Sequence, residues 1–387
     1  MKGEMVTMEV REMMAMKMKI RILMEREMEM MMERKLIMQM TRVVDKIELI
    51  VMMQIREMKM MEMKIIHILK IRWIPQGYVC QLLHHLFNYR VLGLESNPSI
   101  TATASHRRDT LHPLSRPSVQ YFCLKVTEDS AAEIEELLKS FTNNENEKFC
   151  LIGLHSCGDL SANALRLFRD MENASLLIMM SCCYHKIECL EGKKGFKNFP
   201  MSRGLGRECE GIGNPEGVGD VLGRTFMRLA CQEPAERWEK MAREDHEVHS
   251  ICLMARGVLE LFCHKNQIKL TKTRRKSVRS SKCRNFEAYF QNFTRRYNFN
   301  GQQLDKKYYE EINQLWEENT PKLKLSEVYT GLQLLLQAPA EYLVLNDRRC
   351  WLEEQGFSET KILSVLDRKL SPRSHAIVSS KTNPITV

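Results

Sequence analysis

"GYVCQLLHHLFNYRVLGLESNP" (residues 77–98) decides how the rest of the chain is read. Residues 78–88 carry apolar side chains at helical spacing, and residues 90–94 form an apolar, strand-like run. A single acid, Glu95, closes that run, with Ser96, Asn97 and Pro98 behind it. Nucleotide-binding sheets carry an acid at this point, about 20 residues after a glycine-rich turn, where its carboxylate can accept from both hydroxyls of a ribose. The turn itself is thin here. The preceding "KIRWIPQGY" contains only Gly77 where several glycines are expected.

Downstream the texture is an alternation of helices and strands. A helix is predicted near 99–108, a strand at 119–126, and a helix over "EDSAAEIEELLKSF". The buried strand "KFCLIGLH" (148–155) leads into "CGDLSANALRLFRDM", where Asp159 is a candidate N-cap and Leu160, Ala164, Leu165 and Phe168 make one apolar face. "SLLIMMSCC" (175–183) is a further strand. Near the end a helix closes at Gly356, and "KILSVLD" and "SHAIVSSK" read as an antiparallel pair. Strand–helix alternation of this kind predicts an α/β fold with a doubly wound parallel sheet. The antiparallel pair at its end is the layout of Rossmann-like S-adenosylmethionine-dependent methyltransferases, as against plain dehydrogenases.

Two segments depart from that texture. Residues 1–72 hold most of the 27 methionines, mixed with Lys, Arg and Glu ("MEREMEMMMERK"), and are read as a low-complexity leader, helical or disordered. Copper(I) capture by the thioethers and a basic amphipathic surface helix are the competing readings. Residues 73–387 form the folded domain, with a mostly helical insertion over about 196–340. Inside it, "GLGRECEGIGNPEGVG" follows no predicted strand and is expected to be a mobile loop. "TKTRRKSVRSSKCRNFEAYFQNFTRRYNF" (271–299) interleaves basic and aromatic residues, as RNA-contacting surfaces do. The blander reading is a solvated linker entering a helix with Phe286, Tyr289, Phe290 and Phe293 on its buried side.

Composition bounds the function. Charged residues at 28% and hydrophobic ones at 44% are ordinary for a globular protein, and no apolar run reaches the roughly 18 residues of a membrane span. Thirteen cysteines without framework spacing point to a reducing compartment, cytoplasmic or nuclear. A net charge of +9 permits an anionic partner such as RNA.

Ligands of open α/β sheets bind beyond the carboxyl ends of the strands, and three ends stand out here. Glu95 ends one; His155-Ser-Cys157 with Gly158 and Asp159 ends another; Cys182-Cys183-Tyr184-His185 ends the third. Should the last two strands be neighbours, their ends lie about 5 Å apart. Two His and up to three Cys could then hold zinc, line a pocket without metal, or be buried structural groups. The spacing lacks a C-x2-C pair, and adjacent cysteines on one strand point to opposite faces. The expectation is therefore no metal.

These pieces together resemble a known family. "GYVCQLLHHLFNYRVLGLESN", "LIGLHSCGDLSANALRLF", "MSCCYHKIE", "NFPMSRGL", "RLACQEPAERW" and "LSPRSHAIV" are similar to the methyltransferase-like protein 25 family over roughly residues 76–387. The resemblance implies S-adenosylmethionine as cofactor and an unknown methyl acceptor, RNA or protein. It assigns Gly77, Tyr78, Glu95, Ser96, His155, Gly158 and Asp159 to the cofactor. His155, Cys182, Cys183, Tyr184 and His185 fall to the acceptor side, with Tyr184 or His185 able to take a proton. Members of the family carry a first strand and a Gly-x-Gly-x-Gly-type loop before the helix at 78–88. In this chain the leader is expected to replace both, as in a variant isoform or a shifted start. A cofactor-free binding module that keeps the fold is the alternative.

Overall fold

The computed structural model describes residues 67–71, 77–142, 147–191, 195–211, 222–231, 233, 235–274, 278, 283–367 and 374–381. The methionine-rich stretch up to 66, residues 72–76 and the glycine-rich run at 212–221 lie outside them. In chain order the strands are β1 (His67–Ile71), β2 (Arg90–Glu95), β3 (Val119–Cys123), β4 (Phe149–Ser156), β5 (Ala174–Ser181), β6 (Leu270–Lys272), β7 (Tyr297–Phe299), β8 (Thr360–Ser364) and β9 (His375–Ser380). Seven of them make one sheet in the order β3-β2-β1-β4-β5-β9-β8. Neighbours among the first five pair in parallel, whereas β9 runs antiparallel to both β5 and β8.

The first strand is present, which corrects the expectation that it is missing or replaced. His67–Ile71 occupies the middle of the sheet, pairing Ile68 with Val91 on one side and with Cys150 on the other. The reading from composition failed because a five-residue strand, "HILKI", ends a long stretch of a different character. Averaged over 70 residues, the methionine bias hides it.

Alternation along the strands sorts the core into two layers. Leu92, Leu94, Leu151, Leu177 and Met179 face one way. They meet Ile134, Leu138 and Phe141 of α3 (Ala131–Thr142), and Leu165 and Phe168 of α4 (Leu160–Asp170). Val91, Cys150, Ile152, Leu176 and Ile178 face the other way, against Val79, Cys80 and Leu83 of α1 (Tyr78–Phe87). Because β4 and β5 are buried on both faces, their sequences are nearly continuous apolar runs, as central parallel strands require.

Local chemistry ends each element where the sheet edge needs it. Asn97 Oδ1 accepts from the amide of Ser99 at 3.0 Å, and Pro98 supplies the first turn of α2 (Pro98–Leu111). The chain thus turns from strand to helix immediately after Glu95. Gly77, at the start of α1, has φ +79°, and a Cβ there would lie 2.5 Å from the Tyr121 hydroxyl. That hydroxyl donates to the Gly77 carbonyl at 2.9 Å, so α1 is tied to β3 through a position that only glycine fills without strain. Beyond β5 come α5 (Arg203–Gly211), α6 (Arg224–Leu229), α7 (Ala235–Glu239), α8 (Arg243–Lys265), α9 (Phe286–Thr294) and α10 (Tyr309–Asn319). The 32-residue α11 (Leu323–Glu354) follows, and its last residues return to the sheet unit. There Asp347 accepts from the amides of Met201 (2.8 Å) and Ser202 (2.9 Å) and from the Ser202 hydroxyl (2.7 Å). Burial pushes the Asp347 carboxyl up, against the pull of these bonds.

Two compact units divide the chain. The sheet unit takes the described residues of Met1–Asp220, Leu345–Asp367 and Arg373–Val387, so the described residues 196–211 lie in it. The second unit takes the described residues of Val221–Val344. Its core is aromatic: Phe286, Tyr289, Phe290 and Phe293 of α9 pack with Val258 and Phe262 of α8 and Ile312 of α10. Phe286 stacks on Trp316 with centroids 4.3 Å apart.

Phe168→Ala, which empties a fully buried site against Phe357 (ring centroids 5.1 Å apart), should cost about 3–5 kcal/mol in urea denaturation. Leu111→Ala, at a 61% exposed position, should change the same measurement by less than about 0.5 kcal/mol.

Candidate functional site

The turns after β4 and β5 are stitched together at the sheet's carboxyl edge. Register is continuous from Cys150–Leu176 to Leu154–Met180, then jumps to Ser156–Ser181 and leaves His155 as the bulged residue. Its φ is +59°, a left-handed conformation uncommon for histidine and costly enough to mark a constrained position. Past the bulge the Gly158 amide donates to the Cys183 carbonyl at 3.2 Å. Gly158 sits at φ +58°, and a Cβ on it would lie 2.7 Å from the Lys186 carbonyl oxygen. Only glycine allows this approach. Asp159 heads α4 by position, but its carboxylate does not cap the helix. Oδ2 accepts from the Glu188 amide at 2.9 Å and Oδ1 from Asn198 Nδ2 at 2.7 Å. The side chain is a clamp that holds the segment after β5 against the turn after β4.

This edge encloses a cavity of about 440 Å³. Its buried apolar wall is Leu94, Leu124, Val126 and Leu160, and exposed charged residues, among them Lys125, Asp129, Lys186 and Lys197, stand around it. Of the sequence-predicted cofactor residues, Ser96, Gly158 and Asp159 line it. Glu95 is next to the lining, level with Cys123 in the sheet. Its Oε1 accepts from the Ser96 hydroxyl at 3.2 Å and the Asn97 amide at 3.0 Å, which fixes the carboxylate's orientation. Gly77, Tyr78, His155, Tyr184 and His185 are not among the lining residues. Tyr78 instead carries the Arg107 guanidinium over its ring at 4.2 Å.

Sequence reasoning missed the segment after β3, where Leu124–Asp129 supplies one whole wall. The signal was available, since the rule that ligands meet the carboxyl ends of strands applies to that strand as well. It also missed Arg348, 1% exposed, whose guanidinium lies 5.2 Å from the centroid of the buried Tyr184 ring. Among the described residues none accepts a hydrogen bond from its three nitrogens. Burial pulls its pKa down, while Tyr184, Asp347 and Asp159 oppose that pull. Spacing with Leu345 and Leu352 places position 348 on the buried stripe of α11, which was the readable sign.

Cys157, Cys182 and Cys183 converge. Sγ of Cys157 and Cys182 are 3.2 Å apart, Cys182 donates to Cys183 at 3.6 Å, and all three sulfurs lie within 4.8 Å of one another. Hydrogen bonds from Cys157 and Cys182 stabilise the Cys183 thiolate and hold its pKa far below the usual thiol range. The Cys182 thiol is pushed up by its own contacts with Cys157 and Cys183 and by burial. The argument that neighbouring cysteines must point apart does not apply, because β5 ends at Ser181 and Cys183, at φ −106° and ψ 65°, is off the strand.

On the basic and aromatic stretch the structure favours the blander reading. Phe286, Tyr289, Phe290 and Phe293 are buried in the core of their own unit, so they cannot stack on bases. Residues 212–221 of the glycine-rich run lie outside the described residues, and its first part is α5.

A family model described as "Methyltransferase domain" matches residues 75–189, which span α1 to the turn after β5. "Probable methyltransferase-like protein 25" of Homo sapiens is 25% identical over 292 residues, 73% of this chain and 44% of that protein. Its Mus musculus counterpart is 26% identical over 246 residues, 61% of this chain and 38% of that protein. The chain is similar to the methyltransferase-like protein 25 family, and its matched segment to a methyltransferase domain. It spans less than half the length of these curated relatives. The sheet order, parallel but for β9 and β8, is the Rossmann-like methyltransferase arrangement expected of the family.

Asp159→Ala removes both clamp bonds. Amide exchange at Glu188, followed by mass spectrometry, should become at least about tenfold faster, and stability should fall by about 1–3 kcal/mol.

Proposed function

We propose that this chain transfers a methyl group from S-adenosylmethionine to a nucleophile on RNA, and that the donor occupies the cavity beside Ser96 and Gly158. The observation that carries the reading is this cavity of about 440 Å³ at the carboxyl edge of a methyltransferase-ordered sheet, within the size range of small-molecule sites. The residues present fit such a donor. Leu94, Leu124, Val126 and Leu160 offer an apolar wall for a flat base, and the oriented Glu95 carboxylate stands at the strand end to accept from sugar hydroxyls. When bound, the sulfonium cofactor supplies an electrophilic methyl group. The task of the protein is then mainly positioning, which is worth several kcal/mol of barrier without any acid or base. The buried wall excludes water. On this reading the half-buried imidazoles of His155 and His185, at the ends of β4 and β5, take the proton that the nucleophile releases, while the buried Tyr184 only packs behind them. RNA is chosen over protein on the net charge of +9.

One observation favours a second reading, a binding module without catalysis. The run "KIRWIPQG" brings only Gly77 to the turn that usually approaches the cofactor with several glycines. Calorimetry separates the two. Titration with S-adenosylmethionine should give one site per chain, and Glu95→Ala should weaken it by at least about tenfold, or 1.4 kcal/mol. Absence of heat with protein that remains folded by circular dichroism would favour the binding module. Transfer of labelled methyl to total RNA, lost on prior ribonuclease treatment, tests the acceptor class.

A further inference from the structure

We propose that Cys157, Cys182 and Cys183 form a site for one zinc ion at the joined ends of β4 and β5. The geometry comes first. Tetrahedral zinc with Zn–S distances of about 2.3 Å sets its thiolates about 3.8 Å apart. The three sulfurs here stand 3.2 Å and 3.6 Å apart along the Cys157–Cys182–Cys183 chain of contacts, and none is more than 4.8 Å from another. Small side-chain rotations bring all three onto one face of such a tetrahedron.

The scaffold is also built before any ion arrives. The β4–β5 pairing, the bulge at His155 and the Gly158-to-Cys183 backbone bond fix the two turns that carry the thiols. Ordering of the site is therefore part of folding the sheet and does not have to be driven by the metal.

Charge points the same way. Three thiols packed together cannot all ionise alone, because like charges a few ångströms apart repel strongly. A divalent cation relieves that repulsion and takes the place of whichever thiol protons remain, which are released to solvent. Weak S–H contacts give little reason for three sulfurs to meet, and a disulfide between two of them leaves the third over. Zinc suits an all-sulfur face because it is soft enough for thiolate and imposes no geometry of its own. The three cysteines occupy three positions, and the fourth goes to water or an exogenous group. Cys157 also lines the cavity, so the ion would sit at its wall.

This inference is independent of methyl-donor binding, and its test uses no activity. Full-length protein purified without a histidine tag, in a non-thiol reductant, should contain one zinc per chain by plasma mass spectrometry. After chelation, titration with cobalt(II) should produce sulfur-to-cobalt charge-transfer absorption and the d–d bands of a tetrahedral site, saturating at one equivalent. Zinc should then displace the cobalt. Alkylation mapped by mass spectrometry should be slowed by zinc at least about tenfold at Cys157, Cys182 and Cys183, and not at the exposed Cys123, which needs no variant to fold. Cys157→Ser should weaken cobalt binding by at least about tenfold. Failure of wild-type protein to take up zinc or cobalt would overturn the proposal. So would copper in place of zinc, or protection confined to other cysteines.

Discussion

Parallel hydrogen bonding among β3, β2, β1, β4 and β5 constrains everything else in the sheet unit. Parallel neighbours need a crossover connection, and right-handed crossovers return every strand in the same direction. All the carboxyl ends therefore gather at one edge. The turns after β2, β3, β4 and β5, unrelated in sequence, become the walls of one cavity. Burial of β4 and β5 on both faces holds the middle of this arrangement rigid, while the edge can carry polar groups that would destabilise a core.

At that edge the polypeptide accepts local cost in several places. His155 is held in a left-handed bulge, Gly158 passes close to the Lys186 backbone, and Arg348 is buried beside Tyr184 with its nitrogens unpaired among the described residues. A buried guanidinium without hydrogen bonds is expensive, and it persists only where the surrounding structure over-determines it. The anchoring here is visible. Asp347 ties the segment at 201–202 beneath α11, and Asp159 ties the segment at 188–198 to α4. Two buried or half-buried carboxylates thus organise the loops that an apolar core cannot reach.

The cavity has one apolar side and one charged side, which is the division of labour expected of a small-molecule site: area for affinity, a few polar groups for orientation. Glu95 illustrates how little sequence this takes. Asn97 and Pro98 start α2 immediately after the acid, and Ser96 and the Asn97 amide then hold the carboxylate in place. The thiol trio stands at the same edge with Cys157 in the cavity lining, positioned by backbone bonds and not by its own weak contacts.

Sequence by itself determined the alternation of strands and helices, the antiparallel finish at β8 and β9, the acid at the end of β2 and the aromatic face of α9. Each rests on a periodicity or a short local pattern that neighbouring residues fully specify. Only the tertiary structure decided that His67–Ile71 is an interior strand, in the middle of the five parallel ones, because five residues become a strand through pairing on both sides and not through their own propensity. It alone brought Cys157, 25 positions away in sequence, to 3.2 Å from Cys182, and turned Asp159 from a helix cap into a clamp across the site. Contacts between distant segments depend on where the backbone folds in three dimensions, and no spacing within one segment records that.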